Sequence, residues 1–301
     1  MSGHLELSRR LHERLGRIGP QPIEVASYTN RRFTVNWRVP LDHLRRVLPA
    51  SIEPDEVPGT GQGMLSMCAC DFHVVRLGWL PVPPIQNNDM LCRISARIRR
   101  HGRTLRAYYT LRSDSSSHLL GWCGRRFSHF RKQISRFCRR EDATSYALEC
   151  EARDPLGSGR FEGRLDALSK QPPATSAFAD ADAATRFVFE LDGSCGYDWG
   201  TRRLSFQRIE YPDWDVRFCH ASSWSFALIE HLAASFELPL ELDCVLHMHD
   251  TPQVWGRSSL YAESERDAPG WMSAPRAARL RTAALAVAGG ESPSSGWRTT
   301  P

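Results

Sequence analysis

Two lysines, Lys132 and Lys170, stand among 39 basic residues, and Lys132 lies in an unusual setting, Gly124-Arg125-Arg126-Phe127-Ser128-His129-Phe130-Arg131-Lys132-Gln133. Neighbouring cations and desolvation both disfavour an ammonium, so an amine among arginines and aromatics has a route to a depressed pKa. A neutral amine attacks a ketone and forms a Schiff base. The competing reading is a solvated helix residue in an arginine-rich chain, since most lysines are at the surface.

Other spacings carry chemistry of their own. His247-Met248-His249-Asp250 puts two imidazoles on one face of a strand, a geometry that metals use. A third ligand at short spacing is missing, so no metal site is expected, and satisfied histidines at a strand end are the alternative. Cys68-Ala69-Cys70 reads as buried core, while Asp71 and His73 share the opposite face as an acid–base pair. Phosphate-cradling glycine loops, a GxSxG elbow and HExxH are absent, and no cofactor is implied.

Composition narrows the class. Hydrophobic residues make up 41% and charged residues 24% of 301, an ordinary globular balance, and the formal charge of +5 does not call for nucleic acid. Nine scattered cysteines without a CxxC pair fit a reducing cytoplasm. The first 20 residues lack the apolar core of a secretory signal, and no run approaches the ~20 apolar residues of a spanning helix. The expectation is a cytoplasmic protein that binds a small molecule, with neither nucleic acid nor membrane as a partner and an oligomeric state left open.

The elements that must position these residues follow from periodicity. Leu7, Leu11, Leu15 and Ile18 mark an amphipathic helix within residues 1–21, ended by Gly19-Pro20. Arg32 to Val39 alternates as a strand, and Pro40-Leu41-Asp42 opens a helix through Leu48. Gly63 to Val75 is apolar on both faces, as in a sandwich or closed barrel. Met90–Arg99 and Thr104–Arg112 form a hairpin through His101-Gly102, with Arg93, Arg97, Arg99, Arg106 and Arg112 on one face. That face binds carboxylate or phosphate if it points inward and is solvated if it points outward. Ser115-Ser116-Ser117 caps a helix through Cys123.

Further on, strands are expected near 145–153 and 160–168, and a helix over 179–191. A strand pair follows around Tyr211-Pro212-Asp213, then a helix over 223–236 and a last strand pair at 244–249 and 253–261. Residues 22–262 read as a single domain and 263–301 as a largely disordered tail.

The order of these pieces resembles a known family. Asn36-Trp37-Arg38-Val39-Pro40-Leu41-Asp42-His43-Leu44-Arg45-Arg46-Val47-Leu48-Pro49 followed by Ile52-Glu53-Pro54 is similar to the opening of the acetoacetate-decarboxylase-like superfamily. Asp114, Leu119–Cys123 and Arg125-Arg126-Phe127, with Leu246-His247-Met248-His249 and Val254-Trp255, are similar to its bacterial YqjF-like family. The resemblance implies an α+β fold: a mostly antiparallel mixed sheet closed into a barrel around a ligand cavity, with flanking helices.

Acetoacetate decarboxylases carry Gly-Arg-Glu, then Pro-Lys-Lys, whose first lysine is the Schiff-base nucleophile. Matching Gly124-Arg125 to their Gly-Arg puts Lys132 on that nucleophile, with Arg131 as a candidate pKa-lowering neighbour. Arg31, after a one-residue shift, and Arg125 are the candidate substrate-binding residues. Gln133 stands where the second lysine would be, Arg126 replaces the glutamate, and Ser66 and Leu91 occupy the positions of two active-site glutamates. A small-molecule-binding barrel protein is therefore expected. The alternative is a Schiff-base-forming decarboxylase, lyase or hydrolase that acts on a keto acid through Lys132.

Overall fold

Long alternating segments dominate the chain, and they pair into one extended sheet. The computed structural model describes residues 2–16, 18–210 and 214–262. The strands are β1 Val25–Pro40, β2 Glu53–Pro54, β3 Gln62–Leu77, β4 Leu80–Arg100, β5 Arg103–Ser115, β6 Lys132–Glu141 and β7 Ser145–Ala152. They continue as β8 Gly159–Arg164, β9 Gly193–Asp198, β10 Arg203–Glu210, β11 Arg217–Phe218, β12 Ala221–Phe226 and β13 Glu241–Ala262. The α-helices are α1 Ser2–Leu15, α2 Leu41–Val47, α3 His118–Phe127, α4 Ala181–Val188 and α5 Ala227–Phe236. The fold is mixed, sheet-rich α+β.

Strand pairing runs β12-β8-β7-β6-β5-β9-β10-β13-β1-β3-β4-β2, and β4 also pairs β5. That extra pairing closes a ring of seven strands, β5-β9-β10-β13-β1-β3-β4. Most ladders are antiparallel; β5 pairs parallel with β9 at Ala107–Tyr109 and with β6 at Ser113–Ser115. The edge of β5 therefore forks, meeting β9 first and β6 afterwards.

The ring has two unlike faces, because side chains alternate along each strand. One face carries Phe33, Val35, Leu65, Met67, Ala69, Ile94 and Tyr109, packed with Leu11, Leu15, Tyr146, Leu148, Phe161 and Leu232 into the larger apolar core. The other carries Thr34, Asn36, Ser66, Cys68, Cys70, Asp89, Arg93, Thr110, Ser113 and Ser194, all buried. A second cluster, with Met64, Leu246 and Met248, packs α4 through Ala184, Phe187 and Val188.

Several expected elements appear as read. Ser117 caps α3 by accepting from Leu120 N, and His101 and Gly102, both at positive φ, turn the β4–β5 hairpin. The amphipathic N-terminal helix buries Leu11 and Leu15, and Ser8 Oγ donates to Val47 O of α2 at 2.6 Å. It ends at Leu15, three residues before Ile18.

Others are corrected. Lys132 opens a strand, not a helix surface. The reading of a helix from Ser223 splits into β12 and α5, and the expected last strand pair is the single strand β13, with Asp250 at positive φ. A bulge between Cys92 and Arg93 places Arg112 opposite Cys92, so Arg112 leaves the arginine face for the core side. The turn at Tyr211-Pro212-Asp213 and the tail 263–301 lie outside the described residues. Among the described residues no helix is long and apolar enough to cross a membrane.

Candidate functional site around Lys132

Lys132 is the first residue of β6, directly after the fork in the edge of β5. Its Cα pairs with Ser113, and Ser113 pairs with Leu91 on β4. Residues paired across a ladder point to the same side, so Lys132 belongs to the polar face. Its Nζ forms an ion pair with Asp89 and donates to Ser113 Oγ at 2.8 Å. Ser113 Oγ in turn donates to Asp89 Oδ1 at 2.6 Å. The three polar groups close a triangle, with the Phe72 ring centroid 5.8 Å from the amine. The lysine side chain is 14% exposed and that of Asp89 5%.

Supporting contacts hold the triangle. Asn87 Nδ2 donates to Asp89 Oδ2 at 3.4 Å, while Asn87 Oδ1 accepts from Ser115 Oγ at 2.6 Å and from Ser117 N at 3.0 Å. Ser117 is the cap of α3, so one asparagine links the carboxylate to the start of that helix. Helix α3 then lies directly over the lysine stem. A Cβ at Gly124 would stand 2.5–2.8 Å from Lys132 Cδ, Cβ and Cγ, so only glycine allows this approach. The Gly-Arg pair that aligned the sequence thus has a physical reason for its glycine.

The neighbouring groups are polar and mostly inert. Cys70 Sγ donates to Asp89 O at 3.6 Å, and burial, then the Asp89 charge, pushes its thiol up to about 12. That removes Cys70 as a thiolate nucleophile at neutral pH. Arg32, across β1 from Cys70, is buried, donates to Gln253 Oε1 at 3.1 Å and acts electrostatically on the same thiol. On the next rung of the fork, His129 Nε2 lies 2.9 Å from Ser194 Oγ and Nδ1 lies 3.2 Å from Ser205 Oγ. Burial, then the Arg131 charge, lowers His129 to about 3, so the imidazole is neutral.

Arg131 is placed differently from what its proximity in sequence suggests. It has φ +48, is 1% exposed, and donates from Nη1 to Thr110 O at 2.8 Å and from Nη2 to Tyr197 O at 2.6 Å. Those carbonyls lie on β5 and β9 just beyond their shared ladder. The guanidinium satisfies them there, as buried backbone groups require. Arg31 lies one residue off the polar face and pairs with Glu141 at 3.0 Å. Arg125 is exposed in the last turn of α3. Of the four sequence-derived site residues, the triangle contains Lys132 alone.

Sequence reasoning missed Asp89, Ser113 and Asn87. The alternation in the sequence marks a strand from Met90, but β4 begins at Leu80. Extending the alternation of Leu91 and Arg93 two residues back would have put Asp89 on their face. Other candidates separate: Asp71 is held by Arg139 and Asn30, and His73 stacks on Tyr28 at 5.5 Å, so they form no hydrogen-bonded pair. The His247 and His249 rings stack at 5.8 Å, and no metal-ligating cluster occurs among the described residues. A cavity of about 10 Å³, room for one water, lies on the core side of β5 against Arg112 and Asp114.

Comparison with known proteins places this geometry in a family. Residues 28–252 match the model of the DUF2071 family, whose members are described as uncharacterized conserved proteins. No curated protein matches the chain. Among solved structures, acetoacetate decarboxylase from Legionella pneumophila is 11% identical, with TM-score 0.53, over 79% of this chain and 87% of that one. An acetoacetate decarboxylase-like enzyme from Sphingomonas wittichii is 12% identical, with TM-score 0.50, over 82% and 94%. The enduracididine biosynthesis enzyme MppR, complexed with the condensation product of pyruvate and imidazole 4-carboxaldehyde, is 15% identical over 81% and 90%, with TM-score 0.50. These likenesses establish the fold.

Proposed function

This chain belongs to the DUF2071 family, and we propose that it binds a small carboxylate-bearing molecule on the ring face that holds Lys132. In this reading the seven-strand ring acts as a barrel in the reducing cytoplasm, and its polar face lines the ligand cavity. One observation carries the proposal: a part-buried amine, a buried carboxylate and a buried hydroxyl close a triangle within a stretch of small polar side chains that adjoins the Met64, Leu246 and Met248 cluster on the same face. Such a stretch is poor core material, because each polar group must be matched, and it suits a site where a few placed groups orient a ligand. Arg32, on this face, is the better candidate for the ligand carboxylate than Arg31, and Arg125 would act only at the rim. Arg131 serves as a clasp at the fork.

A second reading is favoured by Asp89. The sequence left Lys132 without an acid, since Ser66 and Leu91 replace the expected glutamates, yet Asp89 meets it two positions along from Leu91. Asp89 takes a proton from the ammonium, and the amine lone pair forms a C–N bond to the ketone carbon of a β-keto acid. Loss of water, with the proton returned from Asp89 to the departing oxygen, leaves an iminium that accepts the electron pair of the C–C bond as CO₂ departs. Protonation of the enamine and hydrolysis regenerate the amine.

Borohydride trapping tests both readings. Wild-type and Lys132→Arg protein are incubated with β-keto and α-keto acids, reduced, and mapped by mass spectrometry, with thermal shift recorded in parallel. A hydride-reduced adduct on Lys132, absent from Lys132→Arg, supports the covalent reading. A thermal shift without an adduct supports binding alone. No shift with any acid, or an equal adduct on Lys170, defeats the proposal.

A further inference from the structure

Arg93 shares the polar face with Lys132, standing opposite Ser66 on β3 and Thr110 on β5. It is 2% exposed, and its Nε and Nη2 have no acceptor among the described residues. Ser95 Oγ, two positions on and on the same face, is also buried without a partner there. Three other arginines of this hairpin are matched by carboxylates: Arg97 and Arg106 share Asp55, and Arg112 takes Asp114 and Asp154. Arg93 forms no ion pair among the described residues.

A guanidinium cannot shed its charge by losing a proton. The Tyr108 ring, 3.5 Å from the guanidinium carbon, and the Phe189 ring, 5.6 Å away, offset part of the burial through their π faces. Rings accept nothing from the in-plane N–H groups. Nε and Nη2 form one edge of the guanidinium, the edge that a carboxylate or phosphoryl group takes side-on through two parallel hydrogen bonds. Aromatic faces fix the plane of the group and leave that edge to be matched.

We propose that Arg93, assisted by the Ser95 hydroxyl, is an oxyanion site that takes a carboxylate or phosphoryl group of a small molecule. It lies one ladder step beyond the row that holds Lys132: Ser113, the partner of Lys132, pairs with Leu91, two residues before Arg93. At ~3.3 Å per residue the two rows are roughly 7 Å apart, so one small ligand can span both. The oxyanion site depends on no property of Lys132.

The test compares wild type and Arg93→Met by thermal shift in inorganic phosphate, acetate or succinate, with ionic strength fixed by chloride. The Arg93 Nε–H resonance of wild type is followed through the same titrations by ¹⁵N NMR. Phosphate or a carboxylate should raise the wild-type midpoint and move that resonance, and the anion that does so names the group. Arg93→Met should bind the anion at least tenfold more weakly while its anion-free midpoint stays equal or rises, because an unmatched charge is gone. None of these anions carries a ketone to condense with Lys132, so failure here is distinguishable from failure of keto-acid trapping at Lys132. An unmoved Nε–H, an anion response retained by Arg93→Met, or a lower anion-free midpoint in that variant overturns the proposal. Should Arg93→Met fail to fold, the wild-type resonance decides alone.

Discussion

Two ion pairs flank β5, one on each face of the ring, and they are built differently: Arg112–Asp114 within β5, and Lys132–Asp89 between β6 and β4. On the core side, Arg112 grips both oxygens of Asp114 at 2.7 and 2.9 Å and reaches Asp154 at 2.6 Å, while Ser135 Oγ donates to Asp114 at 2.8 Å. Asp154 also takes Arg14 of α1. This planar fork is saturated, and it staples the N-terminal helix and the turn at Pro155–Gly157 to the sheet. On the polar face, Lys132 offers a point charge to one carboxylate and one hydroxyl. Arginine suits fixed bidentate geometry, whereas a lysine amine can give up its proton and form a bond. The first pair holds the fold together; the second is the one we propose meets a ligand.

The largest test of this contrast is acid. Burial, followed by a nearby arginine charge, lowers His129 on the polar face and His12 and His247 on the core side to about 3 from the ordinary 6.5. Between those values the unfolded chain binds protons that the folded chain refuses. Stability is therefore intact above pH 6.5 and falls as pH drops through the window. Each imidazole contributes a slope of at most ~1.4 kcal/mol per pH unit. Acid unfolding followed by circular dichroism should be complete well above pH 3. His129→Gln and His247→Phe should flatten the curve equally if both faces are dry. A flat response to His129→Gln alone would mean that water already reaches the polar face.

Next in size is removal of each carboxylate. Asp114→Ala strands Arg112 and should cost ~3–5 kcal/mol in urea unfolding. Asp89→Asn should cost less, ~1–3 kcal/mol, and adding Lys132→Met should recover most of that loss, because the unmatched charge is then gone. Equal costs, or a double variant no better than the single, would break the comparison and make Lys132–Asp89 a second staple.

Gly124→Ala inserts a methyl against the lysine stem and should cost ~1–3 kcal/mol while weakening any Lys132 adduct, read by unfolding and by trapping together. Smallest is Ser113→Ala, at ~1 kcal/mol, which removes one side of the triangle and should slow trapping at Lys132 without abolishing it.

Much was legible locally. The amphipathic spacing of Leu11 and Leu15, the Leu41–Val47 helix before Pro49, the His101-Gly102 hairpin and the Ser117 cap each rest on contacts within a few residues. Lys132 stood out by residue type and through the Gly124-Arg125 match. Less legible was everything that depended on register. The bulge at Cys92/Arg93 moved Arg112 across the sheet, since a one-residue slip reverses every side chain beyond it. Arg131, adjacent to the lysine in sequence, turned away at positive φ to serve carbonyls of β5 and β9.

The sequence by itself determined the building blocks, the polar and apolar sides of most strands, and the identity of the amine. Only the tertiary structure decided what that amine meets. Asp89 lies 43 residues before Lys132 in the chain, and they become neighbours because β5 ends its ladder with β9 and begins one with β6. Local patterning sets which way a side chain points; the partner across the ladder is set by strand order, which no short stretch of sequence encodes.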